Sequence, residues 1–134
     1  MRVVVDASVA AAGIVFRGEA WSVLAKLARH QAIAYGTEFT LTETKETVAA
    51  LATRKNAKHN VGGALTWYLD IVKPIEPAPL GKQRSRDAKD DPYLAAALAA
   101  RADIVTYEKD LLDLGKPFGV EILRPAEFLN RFRI

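Results

Sequence analysis

Asp87, Asp90 and Asp91 crowd the start of an alanine-rich segment in RDAKDDPYLAAALAARADIVTYEKDLL, residues 86–112. Glu108 and Asp110 follow directly behind the short apolar run Ile104–Thr106. In an α/β fold, acids at a helix start and acids just past the next strand face one another. Carboxylates gathered in this way repel unless a cation neutralises them. Their oxygens, together with water, suit Mg²⁺ or Mn²⁺. The chain has no cysteine and only two histidines, which disfavours zinc. Such a metal activates water and orients a phosphate for in-line displacement.

Other acids stand where they can join this group. Asp6 closes the β-branched run Arg2–Asp6, the position at which an open α/β sheet binds ligands. The alternative reading is that Asp6 or Ser8 caps the helix that follows. Glu38, Glu43 and Glu46 fall on a helix expected from Thr37 to about Thr53. Glu43 and Glu46 lie one turn apart on one face; as ordinary helix acids they would be solvated, with Glu38 serving the N-terminal dipole. Helix physics also asks for Asp90-Asp91-Pro92 at an N-terminus. That explains one or two acids and leaves their convergence with Glu108 and Asp110 unexplained.

Two basic clusters accompany the acids. Arg54, Lys55 and Lys58 sit in RKNAKH, and Lys82, Arg84 and Arg86 alternate along the segment leading into the acidic helix. Clustered cations hold phosphates as point charges, although a solvated helix end looks the same. The net charge of +3 is weak evidence for a nucleic-acid partner. A glycine-rich phosphate loop is absent, which argues against nucleoside triphosphates. His30 and His59 lie far from any nucleophile motif, so a Ser/His/Asp triad has little support.

The elements that must position these residues come from pattern. Arg2–Asp6 carries valine on three consecutive positions and suits a strand buried on both faces. A helical pattern runs from Ser8 to His30 with a break near Arg17-Gly18, and Trp21, Leu24, Leu27 and Ala28 share one face. Further strands are expected at Ala32–Tyr35, Ile71–Ile75, Asp103–Thr106 and Gly119–Leu123. Helices are expected at Ala64–Asp70, Tyr93–Ala102 and Pro125–Phe132. Alternating strands and helices predict an α/β fold, a three-layer α/β/α sandwich with a parallel sheet of four to five strands. At 134 residues this is a single domain, 1–134. No apolar run reaches the length of a membrane span, and the absence of cysteine fits a cytoplasmic protein.

These blocks resemble a known family. VVVDASV is similar to the first strand of PIN domains, which ends in Asp followed by a small polar residue. RDAKDDPYLAAALAARADIVTYEKDLL resembles the family's third-acid helix, next strand and fourth-acid loop, and GVEILRPAEFL its last strand and closing helix. By position, the resemblance implies Asp6, Glu43, Asp90 and Glu108 as catalytic metal-binding acids, with Glu46, Asp91 and Asp110 as alternates. Glu108 stands where the family often has Asp. Ser8 and Thr106 match polar residues that commonly line the family's site.

The resemblance implies a Mg²⁺- or Mn²⁺-dependent endoribonuclease, the VapC-like toxin of a toxin–antitoxin pair. RNA is then the substrate, an antitoxin protein and a second copy are the partners, and Arg54, Lys55, Lys58, Lys82, Arg84 and Arg86 are candidate phosphate contacts. One alternative is a non-catalytic RNA- or protein-binding module on the same fold. The other is a phosphotransfer receiver, which needs an aspartate ending its middle strand; Ile71–Ile75 ends in no acid.

Overall fold

The computed structural model describes residues 1–57 and 59–133. Its strands are β1 (Arg2–Val5), β2 (Ile33–Gly36), β3 (Lys73–Pro74), β4 (Asp103–Val105) and β5 (Ile122–Leu123). They form one parallel sheet in the order β3-β2-β1-β4-β5. The helices are α1 (Ala7–Phe16), α2 (Gly18–Ala28), α3 (Glu38–Lys55), α4 (Val61–Ile71), α5 (Asp91–Ala100), α6 (Lys109–Leu112) and α7 (Pro125–Asn130).

The pleat of β1 divides the core. Val3 and Val5 join one apolar layer with α1, α2 and Phe128 of α7, whereas Val4 faces the opposite layer with Tyr93, Leu94 and Ala97 of α5. Successive side chains of a strand point to opposite faces, so an unbroken valine run requires cover on both. The result is the three-layer α/β/α sandwich that the element order predicts. Helix α1 is buried along nearly its whole length. Gly13 lets α2 approach it closely: a Cβ there would lie 3.0 Å from the Ala20 backbone.

The helical break at Arg17-Gly18, the capping of α3 by Thr37 and the closing helix all match the pattern. Differences lie at element ends. Ile71 completes α4, and the expected third strand shrinks to Lys73–Pro74, an edge pair where proline has no N–H for a longer ladder. Phe118 and Gly119 have left-handed backbone inside a 3-10 turn, Pro117–Gly119, which delays β5 to Ile122. The acidic helix starts earlier than expected, with a 3-10 turn at Ala88–Asp90 running into α5. The short α6 has too little periodicity to be read from sequence.

Candidate active site

The C-terminal ends of β1 and β4 lie side by side at one edge of the sheet, and the chain places an acid beyond each. Asp6 stands immediately after β1 at the N-cap position of α1, yet its side chain makes no capping bond. Its carboxylate is buried, and Oδ2 accepts two hydroxyls, from Ser8 Oγ at 2.8 Å and from Thr106 Oγ1 at 2.7 Å. Thr106, immediately after β4, also accepts the Glu108 backbone N–H at 2.8 Å. One threonine thus orients Asp6 and fixes the chain at Glu108.

Asp90 arrives from a third direction. The Asp87 side chain accepts the Lys89 N–H at 3.0 Å and closes the 3-10 turn. That turn directs Asp90 inward, where Ser85 Oγ donates to it at 3.4 Å. Glu43 comes from the second turn of α3 and accepts the Tyr93 hydroxyl. Asp6, Ser8, Glu43, Asp87, Asp90 and Glu108 line one cleft of about 220 Å³.

The cleft is electrostatically unbalanced. Burial, followed by repulsion from Asp6, Asp87 and Glu108, pushes the Asp90 carboxyl up to about 6 against the weaker pull of the Ser85 hydroxyl. Burial likewise raises Asp6, with its two hydroxyl donors opposing and Glu108 and Glu43 adding to the rise. Both carboxyls keep their protons to higher pH than an ordinary aspartate, because burial and neighbouring negative charge disfavour the ionised form. The donors are hard oxygens, carboxylate and hydroxyl, which fit a divalent cation of the Mg²⁺ type. As the side chains stand, no group of three acids or histidines among the described residues is close enough to hold an ion. The residues fit such a cation in kind and in charge, and seating one requires the carboxylates to draw together.

The PIN domain family model matches residues 2–110. This chain belongs to that family. A search of curated proteins finds no significant match. Among solved structures, PAE2754 from Pyrobaculum aerophilum is similar at 20% identity and a TM-score of 0.64, covering 98% of this chain and 88% of that one. VapBC2 from Rickettsia felis, bound to a DNA fragment from its promoter, is similar at 13% identity and a TM-score of 0.66, covering 92% and 98%. At these identities the likeness is one of fold.

In this PIN domain the alternate acids lie outside the cleft lining. Glu46 is exposed in an adjoining groove with Ser8, Thr47 and Arg54. Asp91 accepts the backbone N–H groups of Arg84 at 2.8 Å and Ser85 at 2.7 Å, tying the preceding loop to α5. Asp110, on α6, pairs with Arg86 at 2.9 Å. Anchoring backbone donors with a charge contributes stability that a cleft acid does not. Asp91→Ala is therefore expected to lower the unfolding free energy in urea by about 2 kcal/mol, while Asp90→Asn leaves it unchanged or raises it at pH 7.5. Equal losses in both variants would overturn this division of roles.

The basic residues divide too. Arg86 also pairs with Asp113, and the Arg84 guanidinium donates to the Leu80 carbonyl and stacks 5.0 Å from the Phe118 ring centroid. Arg54, Lys55 and Lys82 are exposed, and Arg54 lines the groove beside the cleft. Lys58 lies outside the described residues. Sequence reasoning missed Lys89 and Tyr93. Lys89 lines the acid cleft, and its place between Asp87 and Asp90 was the available signal. Tyr93 reads as a core aromatic and gives no such sign.

Proposed function

We propose that this PIN domain is a Mg²⁺- or Mn²⁺-dependent endoribonuclease acting as the toxin of a toxin–antitoxin pair. The observation that carries the reading is the convergence of Asp6, Glu43, Asp90 and Glu108 from four separate segments on one cleft, with Asp6 and Asp90 short of positive charge. These four acids would hold the cation, which when bound supplies Lewis-acid stabilisation and an activated water. Ser8 and Thr106 orient Asp6, so that its second oxygen, Oδ1, faces no hydroxyl donor among the described residues and is available to a ligand. Lys89 at the cleft is a cation suited to a scissile phosphate. Exposed Arg54, Lys55 and Lys82 would contact phosphates further along the strand.

The antitoxin partner draws support from the fold-level likeness to the Rickettsia felis VapBC2 structure, a two-component assembly by its name. The test of the catalytic reading is cleavage of a single-stranded RNA by purified protein. We expect internal cuts with Mn²⁺ or Mg²⁺ and none after chelation with EDTA. RNA bound but never cut, at any divalent metal concentration, would favour the non-catalytic module instead.

A further inference from the structure

Tyr93 carries a polar group that the fold does not require. Its ring is 1% exposed, packed with Val4, Leu94 and Ile104 in the layer beneath the sheet. Phenylalanine would fill that space equally well. The hydroxyl reaches out of this layer to Glu43 Oε1, a residue of a different helix, and the Ala7 backbone is its other polar neighbour. It therefore spans three parts of the cleft wall: the start of α1 beside Asp6, the second turn of α3, and α5 just after Asp90.

A buried tyrosine commonly finds an acceptor, and any carbonyl satisfies that need. Here the acceptor is a carboxylate in a cleft already crowded with negative charge, and no Lys or Arg among the described residues forms an ion pair with Glu43. A half-buried glutamate facing a cleft otherwise samples several rotamers. Donation to one oxygen holds the carboxylate at the cleft and leaves Oε2 with no hydrogen bond among the described residues. Partners of this sort commonly govern how well a ligating carboxylate is presented.

Resting on the metal-dependent reading above, we infer that Tyr93 is a positioning residue that holds Glu43 for the divalent cation through its hydroxyl. Tyr93→Phe keeps the ring and removes only the donor. Calorimetric titration of the full chain with Mn²⁺ should show about a 10-fold weaker dissociation constant for Tyr93→Phe, with the metal-free unfolding midpoint near that of the parent. The deciding comparison is a double-mutant cycle with Glu43→Gln. If Tyr93 acts through Glu43, adding Tyr93→Phe to Glu43→Gln weakens Mn²⁺ binding no further. Parent-like Mn²⁺ affinity in Tyr93→Phe overturns the inference, and so does an equal loss in the two backgrounds. A parent protein that binds no Mn²⁺ overturns the metal reading itself, which keeps the two failures apart.

Discussion

If the proposed function holds, Asp6→Asn lowers metal-dependent RNA cleavage by about 10³-fold, the order of effect that would follow from losing a central ligand worth several kcal/mol of transition-state stabilisation. The same substitution should leave the metal-free protein as stable as the parent at pH 7.5, or more stable. Asparagine has the shape of aspartate, and its oxygen can still accept from Ser8 and Thr106, the two donors on Oδ2. What it removes is a buried charge, one whose carboxyl is raised by burial and by Glu108 and Glu43. A charge held against both desolvation and repulsion contributes no stability at neutral pH. Activity and stability should therefore move apart. Cleavage assays and urea unfolding on the same preparation read both. Retained cleavage would remove Asp6 from the site, and an unfolded variant would show that its charge supports the fold.

Much of this arrangement was legible in the chain, for identifiable reasons. The run Val3-Val4-Val5 demanded apolar cover on both faces and so announced a sandwich. Asp6 was legible as a candidate because ligands bind beyond the carboxyl ends of parallel strands, although its sequence position suited a helix cap as well. Position within the family resemblance favoured Glu43 over Glu46, but helix pattern alone could not separate them. The two share a helix face, and a modest rotation of α3 separates the cleft from the adjoining groove. Glu43 is the one that meets α5, through the Tyr93 hydroxyl.

Asp90 and Asp91 illustrate the same limit at shorter range. Neighbouring acids at a helix start look alike to helix physics, since both suit the dipole, and only position within the family resemblance favoured Asp90. The 3-10 turn separates them, sending Asp90 into the cleft and Asp91 back onto the Arg84 and Ser85 amides. Asp110 was obscured by a long-range partner. Its pairing with Arg86 joins segments whose proximity depends on how the loop before α5 folds, which no local pattern encodes. The strand order is likewise a tertiary property: alternation implies a parallel sheet, but not that β1 lies between β2 and β4.

The second large effect is a reversal of pH dependence on adding metal. Asp90 titrates at about 6 in the fold, against 3.8 for an ordinary aspartate, and Asp6 is raised as well. An acid whose folded value is raised holds its proton longer in the native state than in the unfolded chain. The unfolded state then binds fewer protons over that interval, and stability falls as pH rises. The contribution is complete below about pH 4 and lost above about pH 6. Asp113 and Glu121 act in the opposite sense. The Lys109 ammonium holds Asp113 below its ordinary value, and Arg131 does the same for Glu121. Their stabilising effect is lost only as pH falls through the acid range, so neither opposes the cleft between pH 5 and 7, and the Asp90→Asn comparison isolates the cleft's share. In EDTA, the unfolding free energy should decline across that interval, and Asp90→Asn should flatten the decline. A divalent cation binds the deprotonated carboxylates, so saturating Mn²⁺ should raise stability by RT ln(1 + [L]/Kd), about 2.7 kcal/mol at a hundred times Kd. Because protons compete for the same oxygens, that gain should grow with pH, opposing the metal-free decline. Urea unfolding at several pH values, with EDTA and with Mn²⁺, measures both slopes. A metal-free protein that gains stability from pH 5 to 7 would mean the cleft acids already have their counter-charge. Parallel curves in EDTA and Mn²⁺ would mean that no cation enters the cleft.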